Sequence, residues 1–268
     1  MNSEPTTPDV LGPKIVSYLD WLTESAESPA GQAELGPIIE DMCLHYRALA
    51  ICLFADDGNT DDFFHWLLHS PLARKHYLGT LTGGARAATR ARRASFIAPV
   101  QDAIVARQWP LAEQLCALAS DSWVEGEEYE DDFCYGMFLG CVLRQVNPAG
   151  VLTRWRKALE GGKDLRLDVA SALAGGDAAE LEEALLALLR ANEERARKMT
   201  DPNTPSILAS NYWFAPNRWV SVEGLAFLAL AERAGISTDY ELQGCPGPLR
   251  SGAYAPFRPR AYPHLPLA

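Results

Sequence analysis

The sequence predicts an all-α protein: antiparallel helical hairpins stacked into an irregular bundle or short solenoid, ending in an extended, proline-rich tail. Three observations lead there. Apolar residues recur at spacings of three and four along most of the chain, the period of a helix with one buried face. Alternating strand-like runs are scarce, and no Asn-Gly or Asp-Gly pair joins two of them as a hairpin requires. The last 23 residues hold six prolines, whose missing N–H groups prevent a long helix there.

In chain order, IVSYLDWLTESA places Ile15, Tyr18, Leu19 and Leu22 on one helical face. IIEDMCLHYRALAICLF continues the pattern from Ile38 to Phe54. DDGNTDDFFHWLLHS then supplies a turn, with Asn59 or Thr60 as N-cap and Asp61 and Asp62 where the helix dipole favours carboxylates. ATRARRASFIAPVQDAIVARQ and WPLAEQLCALASDS read as two helices meeting near Gln108, with Pro110 in the first turn of the second. EYEDDFCYGMFLGCVLRQV reads as a helix with Phe133, Met137, Phe138, Cys141 and Val142 on its buried face.

AGVLTRWRKALEGG stops at Gly161–Gly162. DAAELEEALLALLRANEERARK starts at Asp177, with Glu180 three residues on in a capping-box-like arrangement. RWVSVEGLAFLALAERAGI is stopped by Gly235. No fixed repeat period emerges, and the tetratricopeptide pattern is absent. Residues 198–218 and 244–268 read as irregular, and Tyr254, Phe257 and Tyr262 are expected to pin the tail across the helices. The organisation expected is one helical domain, 1–243, divisible into packed halves of about 1–106 and 107–243, followed by the tail 244–268.

Hydrophobic content of 48% with 22% charged residues is that of a soluble globular protein. The formal net charge is −11, and residues 121–132 supply seven acidic side chains and no basic one. That balance argues against nucleic-acid binding, which needs a basic footprint, and suits solubility or a basic protein partner. The start, MNSEPTTPDVLGPK, lacks the basic and apolar regions of a secretory signal, and no apolar run approaches a membrane span. Cysteines 43, 52, 116, 134, 141 and 245 form no C-x-x-C pair and are expected to be reduced, buried thiols of a cytoplasmic protein.

His65 and His69 stand at i and i+4 in HWLLH, a metal-ligand spacing. The zincin motif needs a glutamate directly after the first histidine, and Trp66 occupies that place. Asp62 and His65, at i and i+3, resemble half of a di-iron helix pair, but no second copy is present. The expectation is polar core or surface histidines, with no metal. G-x-S-x-G, P-loop and G-x-G-x-x-G motifs are all missing. The chain is therefore not expected to be an enzyme, and no cofactor is expected.

Two charged stretches remain. GGARAATRARR carries Arg86, Arg90, Arg92 and Arg93; Arg86, Arg90 and Arg93 are read as a solvated helix face that pairs with the acidic segment. In that segment, a helix N-terminus rationalises two or three carboxylates, each favoured by up to about 1 kcal/mol, but not seven. Complementarity to a cationic partner is one cause for the surplus, since clustered charge speeds encounter. The other is inward pairing, with Glu128, Asp131, Asp132 and Glu223 meeting arginines that hold the helices in register.

Taken in order, QWPLAEQLCALA, EGEEYEDDFCYGMFLGCVL, GGDAAELEEALLALLRANEERAR and WVSVEGLAFLALAERAGISTDYEL resemble the all-helical immunity proteins of bacterial polymorphic and type VI toxin systems. The resemblance is to the immunity protein 49 family in particular. A carboxy-terminal helix ending in Gly-Ile also resembles the helical immunity proteins for a PoNe-type DNase toxin. The likeness covers roughly residues 105–245. It implies a non-enzymatic cytoplasmic protein that binds a cognate toxin and occludes its active site. Nuclease toxins expose basic surfaces, so Glu125, Glu127, Glu128, Glu130, Asp131 and Asp132 are the contact charges it implies, with Tyr129 as aromatic anchor. Trp213 is a further contact candidate, while Trp219 is expected in the core. Two other readings stand beside this one: a helical-repeat adaptor holding a peptide in a concave groove, and a metal-dependent hydrolase using His65, His69 and nearby carboxylates.

Overall fold

Helix α1 (Pro8–Glu27) opens the computed structural model, which describes residues 7–81, 90–200, 212–238 and 240–256. Ile15, Leu19 and Leu22 of α1 are buried, and Tyr18 is half-buried beside them. After the short α2 (Pro29–Ala33), α3 (Leu35–Asp57) ends at Gly58, whose φ of +76° closes the helix by returning its N–H to the Phe54 carbonyl. Asn59 then caps α4 (Thr60–Thr80), its Oδ1 accepting from Asp62 N–H at 3.1 Å. So short a connection folds α4 back along α3, and this hairpin receives α1 on its side.

The next stretch departs from its predicted single helix. Residues 92–97 form an irregular crossing segment, and α5 runs only from Ala98 to Val105. Pro99 lies in the first turn of α5, where its missing N–H costs no helical bond, so a helix start is favoured there. The crossing segment has outside partners instead: Ser95 N–H donates to Glu128 at 2.9 Å, and the Arg92 carbonyl accepts from Ser120 at 2.7 Å.

Helix α6 (Trp109–Leu118) carries Pro110 in its first turn, as the sequence suggests. Helix α7 (Glu130–Leu143) follows the acidic loop, then α8 (Ala149–Ala158), α9 (Leu165–Gly175) and α10 (Ala178–Met199). Asp177 caps α10 by accepting from Ala179 and Glu180 N–H. Helix α11 (Val222–Arg233) stops before Gly235, at φ +78°. The predicted buried face of α7 is only partly right: Phe133, Phe138 and Cys141 are buried, but Met137 and Val142 are half-buried. Cys134, Tyr135, Leu139 and Leu143 are buried as well as Phe133 and Phe138, because neighbours enclose the helix on most sides. Tyr135 stacks between Trp155 of α8 and Phe227 of α11, at 5.4 and 5.8 Å.

No strand occurs among the described residues; an isolated bridge joins Leu242 and Cys245. One apolar core lies between α1, α3 and the far half of α4. A larger one unites Ala50, Ile51, Phe63 and Phe64 with the buried faces of α5 to α11. Between them runs a buried polar chain. Arg47 donates to Asp102 at 2.7 Å, Ser70 donates to the other Asp102 oxygen at 2.5 Å, and Gln101 links Arg47 to the Tyr135 hydroxyl. The tail holds a short helix, α12 (Gly247–Arg250), and then Tyr254, which does pin it across the helices. Phe257 and Tyr262, like Arg86, lie outside the described residues.

Candidate functional site

The acidic segment begins in a turn. Glu127 N–H returns to the Val124 carbonyl at 3.1 Å, and Gly126 between them has φ +83°, the positive value a type II turn needs at its third position. That turn pushes Glu125 outward, where it is exposed. Trp123 Nε1 donates to the Glu128 carbonyl at 3.0 Å, and the Glu128 side chain takes the Ser95 N–H, so the loop is tied at both ends. Tyr129 occupies the N-cap position of α7 without capping it. Its ring is 78% exposed, more than any other large apolar side chain described.

Glu130, Asp131 and Asp132 form the first turn of α7, and here the structure corrects the picture of a bare anionic patch. Arg154 of α8 donates to Glu130 at 2.8 Å. Arg166 of α9 reaches Asp132 at 2.8 Å, Asp164 at 2.9 Å and Asp131 at 3.8 Å. Each guanidinium also lies over an aromatic ring, Arg154 over Phe133 and Arg166 over Tyr135. Both cations come from downstream helices. The expected pairing with the upstream arginines is not seen among the described residues: Arg93 donates to Glu40 at 2.7 Å, Arg92 donates to the Leu81 carbonyl, and Arg90 is exposed. Inward pairing with arginine therefore holds for Asp131 and Asp132. Glu128 takes a backbone N–H instead, and Glu223 accepts from Gln101 and Asn192.

Beside the loop opens a cleft of about 1430 Å³. Its far wall is the start of α3 and the end of α4, with Glu34, Glu40 and Tyr77. Its near wall is Trp123, Glu127, Glu128, Tyr129, Glu130 and Asp132. Among the described residues, six carboxylates and two guanidiniums, Arg90 and Arg93, line it. Glu34, Glu40 and Tyr77 were not singled out from the sequence, because nothing local ties them to a loop far downstream. Glu125 and Asp131 lie outside the lining. Trp213 is elsewhere, half-buried against the smaller core and edge-on to Phe214 at 5.7 Å. Trp219 packs against both cores beneath Arg218.

The histidines of HWLLH stand 4.9 Å apart, but His69 is fully buried between Tyr46 and Trp66, and its Nδ1 meets the His65 carbonyl at 2.9 Å. Burial pushes the His69 pKa down to about 4. Among the described residues, no three His, Cys, Asp or Glu side chains gather as a metal site requires. None of the six cysteines is in a disulfide, and burial pushes the thiols of Cys43, Cys52, Cys116 and Cys245 up to about 12, the opposite of nucleophilic activation. No helix among the described residues is long and apolar enough to cross a membrane.

The sequence profile of Immunity protein 49 matches residues 76–249, more than half of the chain, from the end of α4 through the acidic loop and into α12. No curated protein and no solved structure matches it. The helix order and the acidic loop of the matched region are those on which the resemblance in the sequence rests, and the chain belongs to the immunity protein 49 family.

Proposed function

We propose that this protein is a cytoplasmic, non-enzymatic inhibitor that binds a cognate antibacterial toxin delivered by a polymorphic or type VI system and occludes its active site. The lip of the acidic cleft is the contact surface. Family membership supports a toxin partner in general. The observation that carries the choice of surface is Tyr129, exposed at the lip of a cleft with six carboxylates on its walls. Tyrosine is among the residues enriched at binding hot spots, and an exposed ring gains most when a partner buries it. Arg154 and Arg166 fix the geometry of Glu130, Asp131 and Asp132, so less side-chain freedom is lost on binding. The partner this surface fits is basic, as a nuclease is, and charge complementarity speeds its capture. The adaptor alternative needs a regular concave groove, whereas α5 to α11 close around one continuous core.

The test screens the products of the neighbouring genes for a toxin that this protein binds and protects against. Tyr129→Ala, and Glu125→Lys with Glu127→Lys, are compared with the parent by surface plasmon resonance at low and high salt. Association slowed by about tenfold or more by the charge reversals, and faster dissociation of the Tyr129 variant, support the surface. Unchanged binding at low salt moves the interface to another face. Failure of the parent to bind or protect overturns the reading as a whole.

A further inference from the structure

A second cavity, of about 560 Å³, lies on the other side of the crossing segment, between 92–97, the end of α6 and the middle of α7. It reverses the charge of its surroundings. Arg74, Arg92, Arg93 and Arg144 line it against a single carboxylate, Asp121, among the described residues, on a chain whose net charge is −11. Asp121 is exposed and accepts from the Ser122 hydroxyl. Arg74 and Arg93 share Glu40, which faces the acidic cleft, and Arg74 lies over the Phe96 ring at 4.8 Å. The other two guanidiniums are less committed. Arg92 donates from Nη2 to the Leu81 carbonyl, yet its Nε is buried without an acceptor. Exposed Arg144 donates from Nε to Gly140 of its own helix. Most of the other side chains on the wall are apolar, among them Phe96, Val100, Leu115 and Met137, with Ser120 the polar exception.

A guanidinium carries five N–H donors, and Arg92 and Arg144, each with one hydrogen bond to a backbone carbonyl, keep donors for an acceptor in the cavity. A volume of this size is that of a site for one small organic ligand. An inorganic anion would use the arginines and leave the apolar wall uncovered, and an uncharged apolar molecule would leave the arginines unmet. We propose that this cavity binds a small free organic acid with an apolar body. Its carboxylate accepts from Arg92 and Arg144, and its body lies against Phe96, Leu115 and Met137. The cavity shares Arg93 with the wall of the acidic cleft, but Arg92 and Arg144 do not line that cleft, and the site does not depend on the toxin.

Methyl-labelled methionine reads the site directly, because Met137 lines the cavity and Met42 is buried in the other core. Titration of the intact protein with hexanoate should shift the Met137 methyl resonance saturably and leave Met42 in place. Acetate and hexan-1-ol, which each supply half of the chemistry, should need about tenfold more for the same shift. Arg144→Gln and Arg92→Gln should each raise the hexanoate midpoint by about tenfold. Arg144 is exposed, so its variant remains informative should loss of Arg92 disturb the fold. Three results would each overturn the site: no saturable Met137 shift, an equal response to hexan-1-ol, or a midpoint indifferent to both substitutions.

Discussion

Tyr254 stacks on Phe64 with ring centroids 4.5 Å apart, and its hydroxyl donates to the Ala106 carbonyl at 2.8 Å. Gln108 donates to the same hydroxyl at 2.7 Å, and the Ala255 N–H reaches Asp61 at 2.6 Å. One tail residue thus joins the start of α4 to the turn between α5 and α6, elements far apart in the chain.

Tyr254→Ala should destabilise the protein by about 1–3 kcal/mol, through the lost ring contact and the two hydroxyl bonds. Tyr254→Phe keeps the stack and should cost about 1 kcal/mol. Urea unfolding of the two variants separates the contributions, and a neutral Tyr254→Ala would show that the tail is not a staple.

Gly136 sets how closely α7 approaches the crossing segment. A Cβ there would stand 2.2 Å from the Ala94 carbonyl oxygen, which is backbone and cannot swing aside. Gly136→Ala should cost about 1–3 kcal/mol by forcing the two apart, whereas Gly150→Ala, which meets nothing within 4 Å, should be close to neutral. Thermal unfolding of the pair checks the contrast.

Arg166 serves three carboxylates at once, Asp164, Asp132 and Asp131. Arg166→Met leaves them facing one another and should cost about 1–3 kcal/mol. High salt should restore part of that loss by screening the repulsion. Arg166→Lys keeps the charge without the forked geometry and should fall between. A loss that salt does not touch would assign the effect to packing on Tyr135 instead.

The buried groups oppose one another in acid. Burial raises the Asp102 pKa to about 6, although Arg47 pulls the other way, so its contribution is full below its unfolded value of 3.8 and is lost as pH rises through 6. His69 is held down to about 4 by burial, so its contribution is present above 6.5 and is lost as pH falls through 4. Between these limits the two slopes partly cancel. Asp102→Asn removes the first, so stability should fall more steeply from pH 6 to pH 4 than in the parent. Denaturant midpoints across that range test it, with the slope as the readout, since the substitution also leaves Arg47 without its carboxylate.

The helices were legible because their signals are local. Asn59 and Asp177 cap within three residues of themselves, Gly235 stops a helix by its own conformation, and Pro110 needs only a first turn. The acidic loop was legible as a density of charge, and the order of helices around it as a family likeness. The crossing segment 92–97 reads as helix in the sequence and is irregular in the fold. Its periodicity is sound, but Pro99 and the bonds from Glu128 and Ser120 to its backbone outweigh it.

What the sequence determined by itself was the all-α class, most helix boundaries and the place of the surplus negative charge. Each of those depends on residues within a turn or two. Only the tertiary structure decided which cations meet which carboxylates. Arg154 and Arg166 were matched to Glu130 and Asp132 by the packing of α8 and α9 against α7, and Arg93 was drawn to Glu40. Ion pairs act over a few ångströms, and a sequence holds no record of which distant charges the folded core will bring within that reach.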